Sequence, residues 1–176
     1  MFLDRFFKSR PAHLAGRKLY VAVVDQARKP FLYADFGTPD TVEGRFEIYT
    51  LHVFLLLDRL RGQGAQASDT SQALFDTYVS ALDDALREMG VGDLSVGKKM
   101  RKLGEAFYGR VKSYEAAFKA LPESAELEAL LARTVYAQGG VDHVGRLAAY
   151  VVAQRASLAA QGLDGLLSGD VIWSAA

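Results

Sequence analysis

The sequence predicts an all-α protein, an irregular bundle of about six helices forming a single domain over residues 1–176. Three observations carry this expectation. Apolar residues recur at spacings of three and four along most of the chain, the period of a helix with one buried face. Proline and glycine mark the ends of those periodic stretches, at Pro11, Pro30, Gly90, Pro122 and the pair Gly139-Gly140. No stretch shows the sustained apolar–polar alternation of a half-buried strand. Helices that each carry one wide apolar face must bury it against one another, which gives a bundle.

The elements follow in order. Residues 1–11 form an amphipathic N-terminal arm, with Phe2, Leu3, Phe6 and Phe7 set against Asp4, Arg5 and Lys8, and Arg10-Pro11 breaks it. A helix runs from about Ala12 to Lys29, with Tyr20, Val23, Val24 and Ala27 at helical spacing, and Pro30 ends it. The segment PFLYADFGTP reads as irregular and aromatic-rich. Asp40 and Glu43 give an Asp-x-x-Glu capping pattern for a helix to about Arg61. Val42, Phe46, Tyr49, Val53, Leu56 and Leu60 occupy one side of that helix, while Ile48, Leu51 and Leu55 occupy another. Such a helix belongs at the centre of a bundle. After a polar linker at 63–68, a helix from Thr70 to Met89 carries the stripe Phe75, Tyr78, Leu82, Leu86, Met89. Gly90 sits at its C-cap and Ser95 at the N-cap of a long helix to Leu121, whose stripe is Met100, Leu103, Phe107, Val111, Tyr114, Phe118 and Leu121. Two further helices, Ser124–Gln138 and Asp142–Gln161, precede a glycine-broken C-terminal tail at 163–176 to which no element is assigned.

Composition narrows the chemistry. The 21 basic and 21 acidic residues balance, unlike the strong basic excess of a dedicated DNA binder. With no cysteine, there is no disulfide framework, thiolate metal site or thiol nucleophile. The three histidines, His13, His52 and His143, have no second ligand at metal spacing, so neither a metal nor a cofactor is expected. Asp83-Asp84 point about 100° apart on a helix and make no dyad. The longest apolar run, Ile48 to Leu57, is interrupted by His52 and falls short of the roughly 20 residues of a membrane span. The N-terminus lacks an apolar signal core, so a cytoplasmic protein is expected, peripheral at most to the inner face of the cytoplasmic membrane. No set of residues assembles a nucleophile, base and oxyanion site, so the expected activity is binding rather than catalysis.

Two features stand out locally. Lys98, Lys99, Arg101 and Lys102 lie in the first turns of their helix, where the macrodipole disfavours cations by a few tenths of a kcal/mol each. Arg110 and Lys112 extend this basic surface. Its two readings are pairing with Asp84 and Glu88 of the preceding, acidic helix, or a docking patch for the ribosome or anionic lipid. The second feature is His52, either a helix residue on a polar stripe with Arg45 and Arg59 or an axial haem ligand.

Two longer stretches are more specific: QARKPFLYADFGTPDTVEGRFEIYTLHVFLLLDRLR, from Gln26 to Arg61, and LFDTYVSALDDALREMGVGDLSVGKKMRKLGEAFYGR, from Leu74 to Arg110. Together they closely resemble the ubiquinol–cytochrome c chaperone family. The PDT…GRF segment at Asp40, Gly44, Arg45 and Phe46, the Leu51-His52 pair, and REMGVGDLSVGKKM followed by AFYGR carry the resemblance, which spans about Tyr20 to Tyr150. It implies an all-helical, non-enzymatic assembly chaperone of respiratory complex III that binds newly made cytochrome b. Mitochondrial members of the family also contact the ribosome and a small helical partner. The absence of their long targeting extension suggests a bacterial relative. A holder of membrane helices needs an exposed apolar groove. Phe31, Tyr33, Phe36, Asp40, Arg45, Phe46, His52 and Tyr108 are the candidates for its wall. Two alternatives accompany this reading: a haem-handling protein for cytochrome b, and a structural adaptor of complex III subunits.

Overall fold

The structure, a computed structural model, describes residues 3–175, with side chains from residue 11 onward. It is all-α, with helices α1 (Leu3–Ala27), α2 (Pro30–Ala34), α3 (Val42–Leu60), α4 (Ala65–Glu88), α5 (Asp93–Lys119), α6 (Ala125–Arg133), α7 (Val144–Ala160) and α8 (Leu163–Leu167). No strand occurs among the described residues. Helix α3 is the axis, contacting α1, α4, α5 and α7. Its expected central position is explained by an almost unbroken run of buried residues, Thr50 to Leu56, on all its sides.

The most extensive pairing is α1 with α4. Gly16 makes it possible: a Cβ there would lie 2.6 Å from the Leu74 main-chain nitrogen, so only hydrogen fits between the two helix backbones. Ala12, Ala15, Leu19 and Val23 of α1 are buried along with it. This packing bears on the first departure from the sequence expectation. Pro11 does not end a helix; α1 runs through it from Leu3. A proline inside a helix costs one main-chain bond and kinks it, about 3 kcal/mol, and the close packing immediately downstream holds the following turns in place. The amphipathic side chains expected in the arm at 1–11 lie outside the described side chains, apart from exposed Pro11.

Other boundaries shift for identifiable reasons. The segment expected to be irregular contains α2, with Pro30 in its first turn, where a missing N–H costs nothing. The α3 cap is Thr41 rather than Asp40: the Thr41 hydroxyl accepts from the Gly44 N–H at 3.1 Å, and Asp40 instead pairs with Arg45. Helix α4 begins inside the expected linker, at Ala65, because Gly64 takes a positive φ of 98° just before it. Gly90 ends α4 as expected, with φ 82° and a Val91 N–H to Leu86 carbonyl bond. Helix α5 opens at Asp93, two residues before Ser95, so that a carboxylate lies in its first turn. Helix α6 stops at Arg133, five residues before the expected Gln138.

The tail is the largest addition to what the sequence predicts. Helix α8 is followed by an extended segment that lies back over the body. Two glutamine amides hold it as strand partners would. Gln154 donates to Ser174 O at 2.9 Å and accepts from Ser174 N at 2.8 Å, while Gln161 donates to Ile172 O and accepts from Ile172 N, both at 2.8 Å. The indole of Trp173 donates to the Ala22 carbonyl at 3.1 Å, tying the tail to α1.

Candidate functional site

The clearest concave apolar surface is a groove of about 530 Å³ where α1, α3, α4 and α5 come together. Its walls follow from stripes that are longer than the core behind them. On α1 the wall is Tyr20 and Val24; on α3, Val42, Phe46 and Tyr49; on α4, Ala81 and Leu82, with Met89 just past its end. Leu103 of α5 closes one side. Tyr78, buried at its base, shares a 2.7 Å hydrogen bond with Thr50. Val42 and Met89 remain 60% and 53% exposed, which is unusual for side chains of their kind at the mouth of an apolar recess.

Charge is confined to the rim. Arg28, Arg45, Asp84 and Glu88 line the groove and are all exposed. The Arg28 guanidinium donates to the Tyr49 hydroxyl at 2.8 Å. Arg45 donates to Asp40 and lies over the Tyr33 ring, 5.3 Å from its centroid. Burial raises the phenols of Tyr20 and Tyr33 above their ordinary range, so they stay neutral hydrogen-bonding groups. The titratable groups of the lining are thus tyrosine hydroxyls within and the exposed Arg28, Arg45, Asp84 and Glu88 at the rim. Its form, apolar within and charged at the edge, suits an apolar helix lying across four others.

The structure separates the residues singled out from the sequence. Arg45 and Phe46 line the groove, and Tyr33 and Asp40 adjoin it through Arg45. Phe31 and Phe36 face elsewhere. They meet edge-on 5.3 Å apart and pack against Tyr150 of α7 at 5.8 and 5.6 Å, beside a separate recess of about 520 Å³. Tyr108 is 61% exposed on the outer side of α5, next to Phe75 and Phe107.

His52 is on no polar stripe. It is fully buried, with Nδ1 2.8 Å from the Ile48 carbonyl and Nε2 2.8 Å from the Tyr150 hydroxyl. A carbonyl only accepts, so Nδ1 carries the proton and Nε2 accepts from Tyr150, whose oxygen accepts in turn from Gln26 at 2.8 Å. Burial lowers its pKa to about 4, so the ring is neutral near pH 7. Both ring nitrogens are engaged, which leaves neither free for an iron, and no surface of the ring reaches a partner.

The basic cluster also divides. Lys98, Lys99, Arg101, Lys102 and Lys112 are exposed. The expected pairing with Asp84 and Glu88 does not form. Asp83 pairs within α4 with Arg87, which also bonds Asp93, and among the described residues the five cations enter no ion pair. Arg110 does not belong with them: it grips the buried Glu47 carboxylate with two bonds of 2.8 and 2.6 Å, joining α5 to α3. Tyr20, Val24, Leu82 and Met89 were not anticipated as groove residues. Their signal was an apolar stripe that continues past the reach of its neighbours, and in a sequence that looks the same as core.

Comparison with known proteins is consistent with this geometry. The family described as ubiquinol-cytochrome C chaperone matches residues 34–173, most of the chain. The chain is 23% identical over 163 residues to the ubiquinol-cytochrome-c reductase complex assembly factor 1 of Xenopus laevis, covering 91% of this chain and 80% of that protein. It is 26% identical over 163 residues to the corresponding Homo sapiens protein, covering 91% of this chain and 54% of the human one. The chain thus spans only about half the length of that relative. The crystal structure of the Cbp3 homolog from Brucella abortus superposes with a TM-score of 0.86 at 35% identity, covering 99% of this chain and 97% of that one.

Proposed function

This chain belongs to the ubiquinol–cytochrome c chaperone family, and we propose that it acts as a non-enzymatic assembly chaperone for ubiquinol–cytochrome c reductase, holding newly made cytochrome b. The observation that carries the client-holding part is the open groove of about 530 Å³ between α1, α3 and α4. Cytochrome b is a membrane protein, so before insertion its apolar helices need cover. A groove with an apolar lining and an exposed charged rim accepts one face of such a helix while the rim stays in water. Release needs only a better apolar environment, which the bilayer or the assembled complex supplies. Among the described residues no helix of the chaperone itself is long and apolar enough to cross a membrane. The alternative of direct haem transfer draws no support from His52, whose two ring nitrogens are already bonded.

The test is site-directed photo-crosslinking in cells making cytochrome b. A photoreactive residue at Phe46 or Leu82 is expected to capture cytochrome b, and one at Val152, on α7 outside the groove, is not. Deleting the gene is expected to lower cytochrome b and mature complex III together. Normal complex III in the deletion strain would overturn the chaperone reading, and equal capture from all three positions would overturn the groove as its site.

A further inference from the structure

The outer side of α5 carries a second surface that the groove does not use. Leu94, Lys98, Arg101, Glu105, Tyr108 and Lys112 recur at spacings of three and four, so they form one stripe about 27 Å long on a straight helix. The opposite side of α5 is committed to the core through Phe107, Tyr114 and Phe118. Lys102 flanks the stripe, which brings four cations, Lys98, Arg101, Lys102 and Lys112, against the single carboxylate of Glu105. Leu94 is fully exposed, at 102% of its reference area, and Tyr108 is 61% exposed.

We infer that this stripe is a docking surface for an anionic lipid bilayer. Lys98, Arg101 and Lys102 cluster within a short stretch of α5, and none of the cations is offset by an ion pair among the described residues. An anionic surface supplies the missing partner, with each basic residue adding to the attraction near the headgroups. The two apolar ends decide between lipid and nucleic acid. A leucine with its whole side chain in water gains nothing from a phosphate backbone, but it gains on entering the boundary between headgroups and acyl chains. Tyrosine is at home at the same depth, its ring in the acyl boundary and its hydroxyl at the headgroups. The lysine stems lie flat along such a surface and keep their ammonium groups among the phosphates. The inference stands on these residues and does not depend on which client the groove holds.

Flotation of the full chain with phosphatidylcholine vesicles, with and without phosphatidylglycerol, tests it. Binding is expected only to the anionic vesicles. The variant Lys98/Lys99/Arg101/Lys102→Gln is expected to lose about a hundredfold or more in vesicle affinity. Leu94→Ser is expected to lose several-fold at constant charge, the arm that electrostatics alone would not move. All these positions are exposed, and unchanged circular dichroism together with unchanged crosslinking from Phe46 separates lost docking from lost folding or a failed groove. Equal binding to both vesicle types, or no binding to either, would overturn the inference. So would an unaffected Leu94→Ser variant combined with polyuridylate binding that the four-residue variant abolishes; that outcome would make the stripe an RNA surface.

Discussion

Helix α3 has two aromatic-rich sides that end differently. On the side facing α7 and the tail, every buried polar group named above is matched. His52 bonds Ile48 and Tyr150, Gln26 bonds Tyr150, and Gln154 takes both main-chain groups of Ser174. Trp173 then covers the His52 ring at a centroid distance of 5.2 Å. On the side facing α1 and α4, Phe46 and Tyr49 line an open groove while Val42 and Met89 stand in water. Leaving apolar area uncovered forgoes roughly 25 cal/mol for each Å². The chain has a tail able to cover an aromatic surface and uses it on one side only. The uncovered side is therefore where an external apolar partner gains most, and the covered side is where the fold draws its rigidity.

That contrast can be broken from the covered side first. Tyr150→Ala removes the ring that packs against Phe31, Phe36 and His52 and strands the hydrogen bonds of His52 and Gln26. A loss of about 3–5 kcal/mol is expected by urea denaturation. A loss below about 1 kcal/mol would mean that the tail side is packed no better than the groove. A smaller effect follows from pH. His52 takes up a proton near pH 6.5 in the unfolded chain but only near 4 in the fold, so the unfolded state binds more protons between those values. The contribution of the neutral ring is whole above about pH 6.5 and is lost as the pH falls toward 4. The expected loss is on the order of 3 kcal/mol across that window. Urea midpoints from pH 7 to 4.5 in the native chain and in His52→Gln read it directly. Parallel pH profiles for the two would show that the buried ring does not govern the acid response.

The sequence made the covered side harder to read than the open one. Helical periodicity revealed α3 as central because its apolar residues appear on every side, and that inference needs no knowledge of neighbours. It could not place His52. Its flanking arginines seven residues away suggested a polar stripe, whereas the partners that bury it, Tyr150 and Trp173, are about a hundred residues distant. The tail was unreadable because its hydrogen bonds go to the side chains of Gln154 and Gln161, which leaves no periodicity of its own. For the groove the difficulty was the reverse. Phe46 and Arg45 were legible through the motif around them. Leu82 and Met89 were absorbed into a stripe that reads as core, since sequence shows an apolar face but not whether anything covers it. Arg110 was counted with its basic neighbours because the buried Glu47 that claims it lies on another helix.

The smallest effect on folding should come from the open side, and there the comparison is sharpest. Val42 and Met89 face water at the groove mouth, so a carboxylate at either position buries no charge in the free protein. Val42→Glu and Met89→Glu together are expected to move stability by less than about 1 kcal/mol, as surface substitutions do. Val42 opens α3 next to Glu43, and an added carboxylate there also lies at the favourable end of that helix dipole. The cost appears only when an apolar helix covers the mouth, because two carboxylates must then be desolvated without a partner. Crosslinking of cytochrome b from Phe46 should consequently fall by about tenfold or more while the urea midpoint hardly moves. Placed at a core position of the tail side, the same charge would unfold the protein before binding could be measured. If the double variant instead destabilised the fold by several kcal/mol with capture intact, Val42 and Met89 would be covered by the chain itself, and the two sides of α3 would not differ.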